Sequence, residues 1–197
     1  GPVDEIGMFT MNEHGMEEVT NPSALMIEER SSSTPGSVIT ATIEGTRPLL
    51  IEVQALVTKT SFGYPQRRAS GFDLNRLQIL IAVLTQRMSL PLETFDVCLN
   101  ISGGYTIKER SADLAVALAI VSALKDKPIS KHIIALGEIG LNGEVRSIPH
   151  IEKRLKEASR LGFTYALIPK KHSKLTSTIK VAEIENVSQL VDKLSGM

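Results

Sequence analysis

The sequence has one cysteine, no net charge and no long apolar run. Cys98 has no partner for an internal disulfide, and because it lies in an apolar segment we expect its thiol to be buried. The 22 basic and 22 acidic residues cancel at neutral pH, so any basic surface has to come from local clusters. No segment approaches the roughly 20 apolar residues of a membrane span. These features predict a cytoplasmic protein without a membrane partner.

Motifs for metal or nucleotide binding are also missing. The four histidines are scattered without the spacing of metal ligands (His14, His132, His150 and His172). The sequence contains no Gly-Lys pair and therefore no Gly-x-x-x-x-Gly-Lys phosphate loop. We therefore expect no metal and no cofactor in this stretch of chain.

Apolar periodicity predicts strands and helices that alternate through the second half, which is typical of an α/β fold. Residues 1–30 are expected to form a small β-rich lead-in, and residues 31–197 one domain. A long polar connection is expected over residues 59–72, and loops of that length are usually functional. The predicted strands are 37–44, 49–57, 95–101, 133–136, 165–168 and 179–184, with a short hairpin at 137–146. The predicted helices are 74–88, 151–161, 187–194 and one that follows Ser111.

The stretch that begins at Gly103-Gly104 is the most informative part of the chain. Two glycines predict a turn, and an Ala- and Leu-rich run predicts a helix buried on most sides. Ser111 is a natural N-cap for this helix, and Asp113 in its first turn suits the positive end of the helix dipole.

In this chain Ser-Ala-Asp-Leu-Ala-Val-Ala-Leu-Ala follows the Gly-Gly turn after a short spacer, and this arrangement resembles the nucleophile region of Lon-type proteases. The segment Gly137-Glu138-Ile139-Gly140-Leu141-Asn142-Gly143-Glu144-Val145 is similar to the Lon strand pair that precedes the catalytic lysine. Segments at 4–9, 21–30 and 44–57 narrow the resemblance to the RadA family of bacterial DNA repair proteins. The resemblance implies a two-layer Lon-protease-like fold, similar to ribosomal protein S5.

The resemblance places Ser111 at the Lon nucleophile position and Glu152 at the position of the Lon lysine. A carboxylate with a pKa near 4.3 is a weak base for a serine hydroxyl. We therefore expect an inactive protease centre and no enzyme activity in this fragment. The alternatives are a cryptic serine hydrolase that uses Ser111 and a pure oligomerisation module without DNA contact.

The resemblance also implies partners and roles for the whole protein. These are processing of single-stranded or branched DNA in recombination and repair, a homo-oligomer in the form of a hexameric ring, and a RecA-type recombinase. ATP, magnesium and zinc are expected in domains that precede this region, which itself would be a ring scaffold and a DNA-binding surface.

Clusters of basic residues are the candidate DNA contacts. Lys59, Arg67, Arg68 and Arg76 surround the predicted long loop, and Phe62 and Tyr64 within it offer stacking surfaces for single-stranded nucleic acid. Lys170 and Lys171 form a second candidate. A third set, Lys153, Arg154, Lys156 and Arg160, alternates with Glu152 and Glu157, which indicates a solvated, salt-bridged helix face.

Overall fold

The computed structural model describes the backbone of residues 8–12 and 15–19, and residues 34–195 with their side chains. Strands β1 (Met8–Asn12) and β2 (Gly15–Val19) pair antiparallel as a hairpin, as expected for the lead-in. The rest of the lead-in, at 1–7, 13–14 and 20–33, lies outside the described residues, and so do the resemblance segments there. The boundary near residue 30 therefore stays a prediction.

A seven-stranded mixed sheet forms the centre of the domain, in the order β11-β10-β7-β3-β4-β6-β5. Its strands are β3 (Ser37–Glu44), β4 (Arg47–Lys59), β5 (Arg67–Ser70), β6 (Phe95–Ile101), β7 (Ile133–Ala135), β10 (Tyr165–Pro169) and β11 (Lys180–Ile184). Strands β8 (Glu138–Ile139) and β9 (Val145–Arg146) form a separate hairpin. The helices are α1 (Leu74–Arg87), α2 (Asp113–Lys125), α3 (Ile151–Arg160) and α4 (Leu190–Ser195). The α/β class is therefore confirmed.

Local sequence explains the first half of the sheet. The β3–β4 hairpin turns at Gly45 and Thr46 and pairs from Ser37 opposite Gln54 to Glu44 opposite Arg47. Helix α1 begins where predicted, because the Asp73 carboxylate accepts the Arg76 backbone N–H at 2.9 Å.

Helices cover both faces of the sheet, and this corrects the two-layer prediction. Helices α1, α2 and α4 pack on one face, where every residue of α2 from Asp113 to Ser122 is buried. Helix α3 packs on the other face with Ile151, Leu155 and Ala158 against β3 and β4. The apolar i, i+4, i+7 face of α3 requires a second buried layer on that side of the sheet.

On the α3 side, no described residue outside the sheet covers its other half, which lies beyond the end of that helix. In β4 and β6 the side chains on this side are exposed, including Leu56 at 64% and Cys98. The expectation of a buried thiol is therefore wrong, because Val97 and Leu99 take the buried positions of β6 and alternation turns Cys98 outward.

Two further expectations from the sequence are corrected by the backbone. The polar connection at 59–72 contains edge strand β5, which pairs parallel with β6 although its exposed face is polar. Ser111 does not cap α2, since it lies in the short 3₁₀ turn Arg110–Ala112 and Ala112 holds the cap position without a side-chain bond. No helix in the described ranges is both long and apolar enough to cross a membrane.

Candidate functional site

Ser111 lies at the base of a buried polar cluster. The 3₁₀ turn after residues 105–109 carries it inward, and the residue is 4% exposed. Its hydroxyl donates to Glu109 Oε1 at 2.6 Å and accepts from Arg154 Nη1 at 3.2 Å. The serine is therefore held by a carboxylate and a guanidinium rather than by a backbone N–H.

Arg154 is the centre of this cluster, and it is only 1% exposed. Its guanidinium donates to Ala41 O at 2.7 Å and to Pro149 O at 3.1 Å, and it binds Glu109 through two nitrogens. One side chain thus joins α3, β3 and the turn at Ser111. The expectation of a solvated helix face is therefore wrong for Arg154. This residue lies three positions after Ile151, on the apolar side of α3, and that spacing could have predicted its burial.

The cluster does not activate the Ser111 hydroxyl. Burial would raise the pKa of Glu109, but hydrogen bonds from Arg154 and Ser111 and the guanidinium charge outweigh burial and lower it. A carboxylate with a lowered pKa is a poor proton acceptor, and an arginine does not deprotonate in proteins. Glu152 is engaged elsewhere, because its carboxylate accepts the Thr176 N–H and hydroxyl, both at 3.0 Å. The carboxylate that contacts the Ser111 hydroxyl is therefore that of Glu109 and not that of Glu152.

The Glu109–Arg154 pair predicts a pH-dependent loss of stability. A carboxylate whose pKa is lower in the folded state stabilises the fold above its ordinary pKa, about 4.5, and loses this effect as pH falls through the folded value. Glu109→Gln is therefore expected to lower the free energy of unfolding at pH 7, with a gap to wild type that narrows as the pH falls below about 4.5. Urea unfolding at several pH values measures this gap. In an Arg154→Met background this narrowing should be lost, because the burial that raises the pKa of Glu109 is no longer opposed by the guanidinium. With Arg154 present, a gap that stays constant with pH contradicts the assignment.

Arg76, the fourth member of the first basic cluster, is engaged inside the fold. Its guanidinium binds both carboxylate oxygens of Asp113 and donates to Ile139 O at 2.7 Å, while the Ile139 N–H donates to Asp113 at 3.1 Å. The hydrogen bonds to Asp113 raise the pKa of Arg76, although burial opposes this. Asp113 is fully buried, so these contacts tie α1, α2 and β8 together. We do not carry Arg76 forward as a DNA contact.

The other three members of the first cluster lie at the loop of residues 60–66 between β4 and β5. Arg67 is half-buried and donates to Phe95 O and, at 2.9 Å, to Leu92 O; burial lowers its pKa. Lys59 Nζ lies 5.0 Å from the centre of the Phe95 ring and donates to Thr94 Oγ1 at 3.2 Å. Arg68 is exposed and forms no salt bridge within residues 34–195.

The second candidate pair lies elsewhere. Lys170 binds Glu185, which raises the pKa of this lysine, and Lys171 is exposed beside it. Both line a cavity of about 700 Å³ that Glu144, Arg146 and Glu185 also border. Strands β7, β3 and β4 separate β10 from β6, so about 20 Å of sheet lies between the two basic groups at a strand spacing of about 4.8 Å. The structure does not bring them together.

Comparison with known proteins finds relatives along the whole chain. The chain is 42% identical to the DNA repair protein RadA of Halalkalibacterium halodurans over 100% of its length. It is 43% identical to RadA of Bacillus subtilis and 44% identical to RadA of Helicobacter pylori strain 26695, each over 98% of its length. The chain belongs to the RadA family. It spans 44%, 42% and 42% of those three RadA proteins, and so less than half of each.

A family model gives a second match to the same region. Residues 69–172, just over half of the chain, match the family described as subunit ChlI of Mg-chelatase, and the chain belongs to that family as well. The prediction that this RadA-family region is not an enzyme is therefore wrong, because the matching family is named for an enzyme subunit.

The match to the ChlI family suggests magnesium and a nucleotide as possible ligands. The described residues do not form a binding site for either. Within the described ranges no group of three or more His, Cys, Asp or Glu side chains is placed to hold a metal ion. The Asp113 and Glu109 carboxylates are already bound by Arg76 and Arg154, and the sequence has no phosphate-binding loop. We derive no chemical step through either group.

Proposed function

We propose that this chain is the DNA-contacting and ring-forming part of a RadA-type ATP-driven repair protein that acts on recombination intermediates. Homology to RadA along the whole chain supports the repair role. The observation that carries the DNA contact is that Lys59 and Arg68, both exposed, flank the two ends of a loop that presents two aromatic rings to solvent. The net charge of the chain is zero, so the positive surface here comes from the exposed Lys59 and Arg68, whereas Arg67 and Arg76 bind groups inside the fold.

Arg68→Ala is expected to weaken DNA binding several-fold and to reduce the slope of log affinity against log salt by about one, because one phosphate contact is lost. Fluorescence anisotropy with labelled DNA over a salt series measures both quantities. Arg146→Ala is the matched control, since that arginine is also exposed but lies at the other basic group. Equal effects of the two variants, or none from Arg68→Ala, would contradict the placement of the DNA surface.

Ring formation has separate support in the outer face of α1. Its exposed side chains from Leu74 to Gln86 carry no charge at all (Leu74, Asn75, Gln78, Ile79, Ala82 and Gln86), although charged residues make up 22% of the chain. Depletion of charge marks the centres of protein interfaces. We propose that a second copy of the chain covers this face, in the head-to-tail arrangement that closes a ring.

Ala82→Glu is expected to weaken self-association about tenfold or more, because it places an unpaired charge in the interface without touching the core. Mass in solution by light scattering over a concentration series measures this. Lys156→Glu on the exposed side of α3 changes charge away from α1 and serves as the control. An unchanged assembly in the Ala82→Glu variant would rule out this face.

The finer fold assignment and the remaining partner are also proposals. A Lon-protease-like fold is supported by the turn at Gly103 and Gly104, both with positive φ, which leads from β6 towards α2, and by the β8–β9 hairpin that follows α2. Superposition on a solved Lon protease domain tests it. For the whole protein we carry forward a RecA-type recombinase as partner, to be tested by binding to the full-length protein.

A further inference from the structure

The loop of residues 60–66 presents two aromatic rings almost completely to solvent. Phe62 is 95% exposed and Tyr64 is 89% exposed. A single exposed apolar side chain needs no explanation, but two large rings on one loop, separated by one residue, expose an unusual amount of apolar surface. Gly63 between them has a φ of +72° and open space around it. The backbone there favours glycine, and no residue in the described part of the chain covers the rings.

The base of this loop is held by one carboxylate oxygen. Asp96 Oδ1 accepts the Thr60 hydroxyl at 2.9 Å and the Gln66 N–H at 2.8 Å, so that it ties the two ends of the loop together. These two hydrogen bonds lower the pKa of Asp96, and the carboxylate stays ionised at neutral pH.

Backbone bonds complete the closure. The Thr60 N–H donates to Thr94 O at 2.9 Å, and the Val97 N–H donates to Gln66 O at 2.9 Å. The residues between Thr60 and Gln66 therefore form a short arch on a fixed base. A loop shaped before binding loses less conformational entropy when a ligand orders it.

The charges around the arch suit a polyanion with flat groups. Lys59 and Arg68 are exposed next to the arch, and the nearest acidic groups are Asp96, which faces its base, and Glu93, which lines a cavity of about 250 Å³ with Lys59, Gly63 and Pro65. Aromatic rings beside cations are the combination with which proteins bind unpaired bases, because every base has a face that stacks. In a duplex those faces are already covered by neighbouring base pairs, so the arch fits single strands.

We propose that the arch at residues 60–66 is a stacking platform for unpaired bases of a single strand, with Phe62 and Tyr64 as the stacking groups and Asp96 as the positioning residue. This inference rests on the proposed function, since it names the DNA class and the groups that the DNA surface recognises. Stacking does not distinguish base types, so the platform is independent of sequence.

The first test replaces the rings without removing their apolar character. Phe62→Leu/Tyr64→Leu in the whole chain is expected to lower the affinity for an oligothymidine of about 20 nucleotides by roughly five- to 150-fold per lost ring. The affinity for a blunt duplex and the salt slope should not change, because no phosphate contact is lost. Leu141→Ala, which truncates a 71%-exposed side chain on the β8–β9 hairpin, should leave both affinities unchanged.

The second test concerns Asp96. Asp96→Ala should weaken oligothymidine binding, because the arch loses both hydrogen bonds that join its ends. The substitution also removes a negative charge, which by itself would favour binding of a polyanion. Asp96→Asn should retain wild-type affinity or slightly exceed it, because the amide oxygen still accepts both hydrogen bonds. If both variants bind more tightly than wild type, the carboxylate acts only through its charge and the positioning role is overturned.

The outcomes separate this inference from the proposed function. If the wild-type chain binds neither oligothymidine nor duplex, the DNA-binding function itself fails. If the wild type binds and the double leucine variant binds single strands equally well, the stacking platform alone is overturned, and the exposed rings then belong to a protein contact. Loss of single-strand affinity with retained duplex affinity confirms the platform.

Discussion

Replacing Arg154 with methionine is expected to lower the free energy of unfolding by about 3 kcal/mol, measured by urea denaturation at pH 7. The variant removes a side chain that is 1% exposed and leaves Glu109 without its cation. It also leaves Ala41 O and Pro149 O without their donor. Because Glu109 is 31% exposed, water partly solvates its carboxylate, and the loss lies at the lower end of the range for broken buried pairs.

Arg160 provides the matched control for this prediction. It lies on the same helix and pairs with Glu157 at i, i+3, but its side chain is 56% exposed. Arg160→Met is therefore expected to change stability by no more than about 0.5 kcal/mol. Equal losses in the two variants would mean that Arg154 contributes no more than a surface pair, and that the buried cluster does not hold α3 on the sheet.

Replacing Arg76 with leucine is expected to cost about 3 to 5 kcal/mol in the same measurement. Asp113 is completely buried, and without Arg76 its carboxylate keeps only the Ile139 N–H as a hydrogen-bond donor. An uncompensated charge at this depth is among the few mechanisms that produce losses of this size. The fold should respond as a whole, because the pair joins α1, α2 and β8.

A second substitution separates this cause from simple loss of packing. Adding Asp113→Asn to Arg76→Leu removes the stranded charge, while the amide oxygen still accepts the Ile139 N–H. We expect the double variant to recover about 1 to 2 kcal/mol of the loss, a coupling of the size seen for contacting residues. If the double variant is no more stable than Arg76→Leu, the penalty comes from the missing arginine stem and not from the charge on Asp113.

The regular elements could be predicted because their causes are local. Period-two alternation marks β3, Asp73 marks the start of α1, and the Ala- and Leu-rich composition of α2 requires burial on all sides. Strand β5 was not predicted, because an edge strand whose exposed face carries Arg68 and Ser70 has the sequence pattern of a polar loop. Cys98 was misassigned because its segment was treated as apolar throughout, although Cys98 alternates with the buried Val97 and Leu99.

The candidate site was harder to predict because its members come from distant parts of the chain. Ser111 and Glu109 lie 43 and 45 residues before Arg154, and the sheet brings them together. A basic residue in a helix rich in charges is normally expected to be exposed to solvent, and only the position of Arg154 three residues after Ile151 indicates that it is buried. The contact between Arg76 and Asp113 also joins residues that are far apart in the sequence, with a separation of 37 positions. The exposed Phe62 and Tyr64 could be anticipated, but their anchoring by Asp96 could not.

These internal pairs also explain how a chain of zero net charge acquires a specific surface. The guanidinium groups of Arg67, Arg76 and Arg154 bind carboxylates or carbonyl oxygens inside the fold. Arg68, by contrast, is exposed next to the arch at residues 60–66. Affinity for DNA is therefore expected to reside in a few groups near residues 59–68 rather than in the overall charge. A small number of phosphate contacts gives a modest salt slope.

The most direct test of the account is the binding of oligothymidine by the whole chain between about 50 and 200 mM salt, with its mass in solution recorded in the same buffers. We expect an assembled species that binds the single strand with an affinity that falls as salt rises, and that binds a blunt duplex less tightly. An assembled chain that binds no DNA at the lowest salt would contradict it and would leave the region as an oligomerisation module.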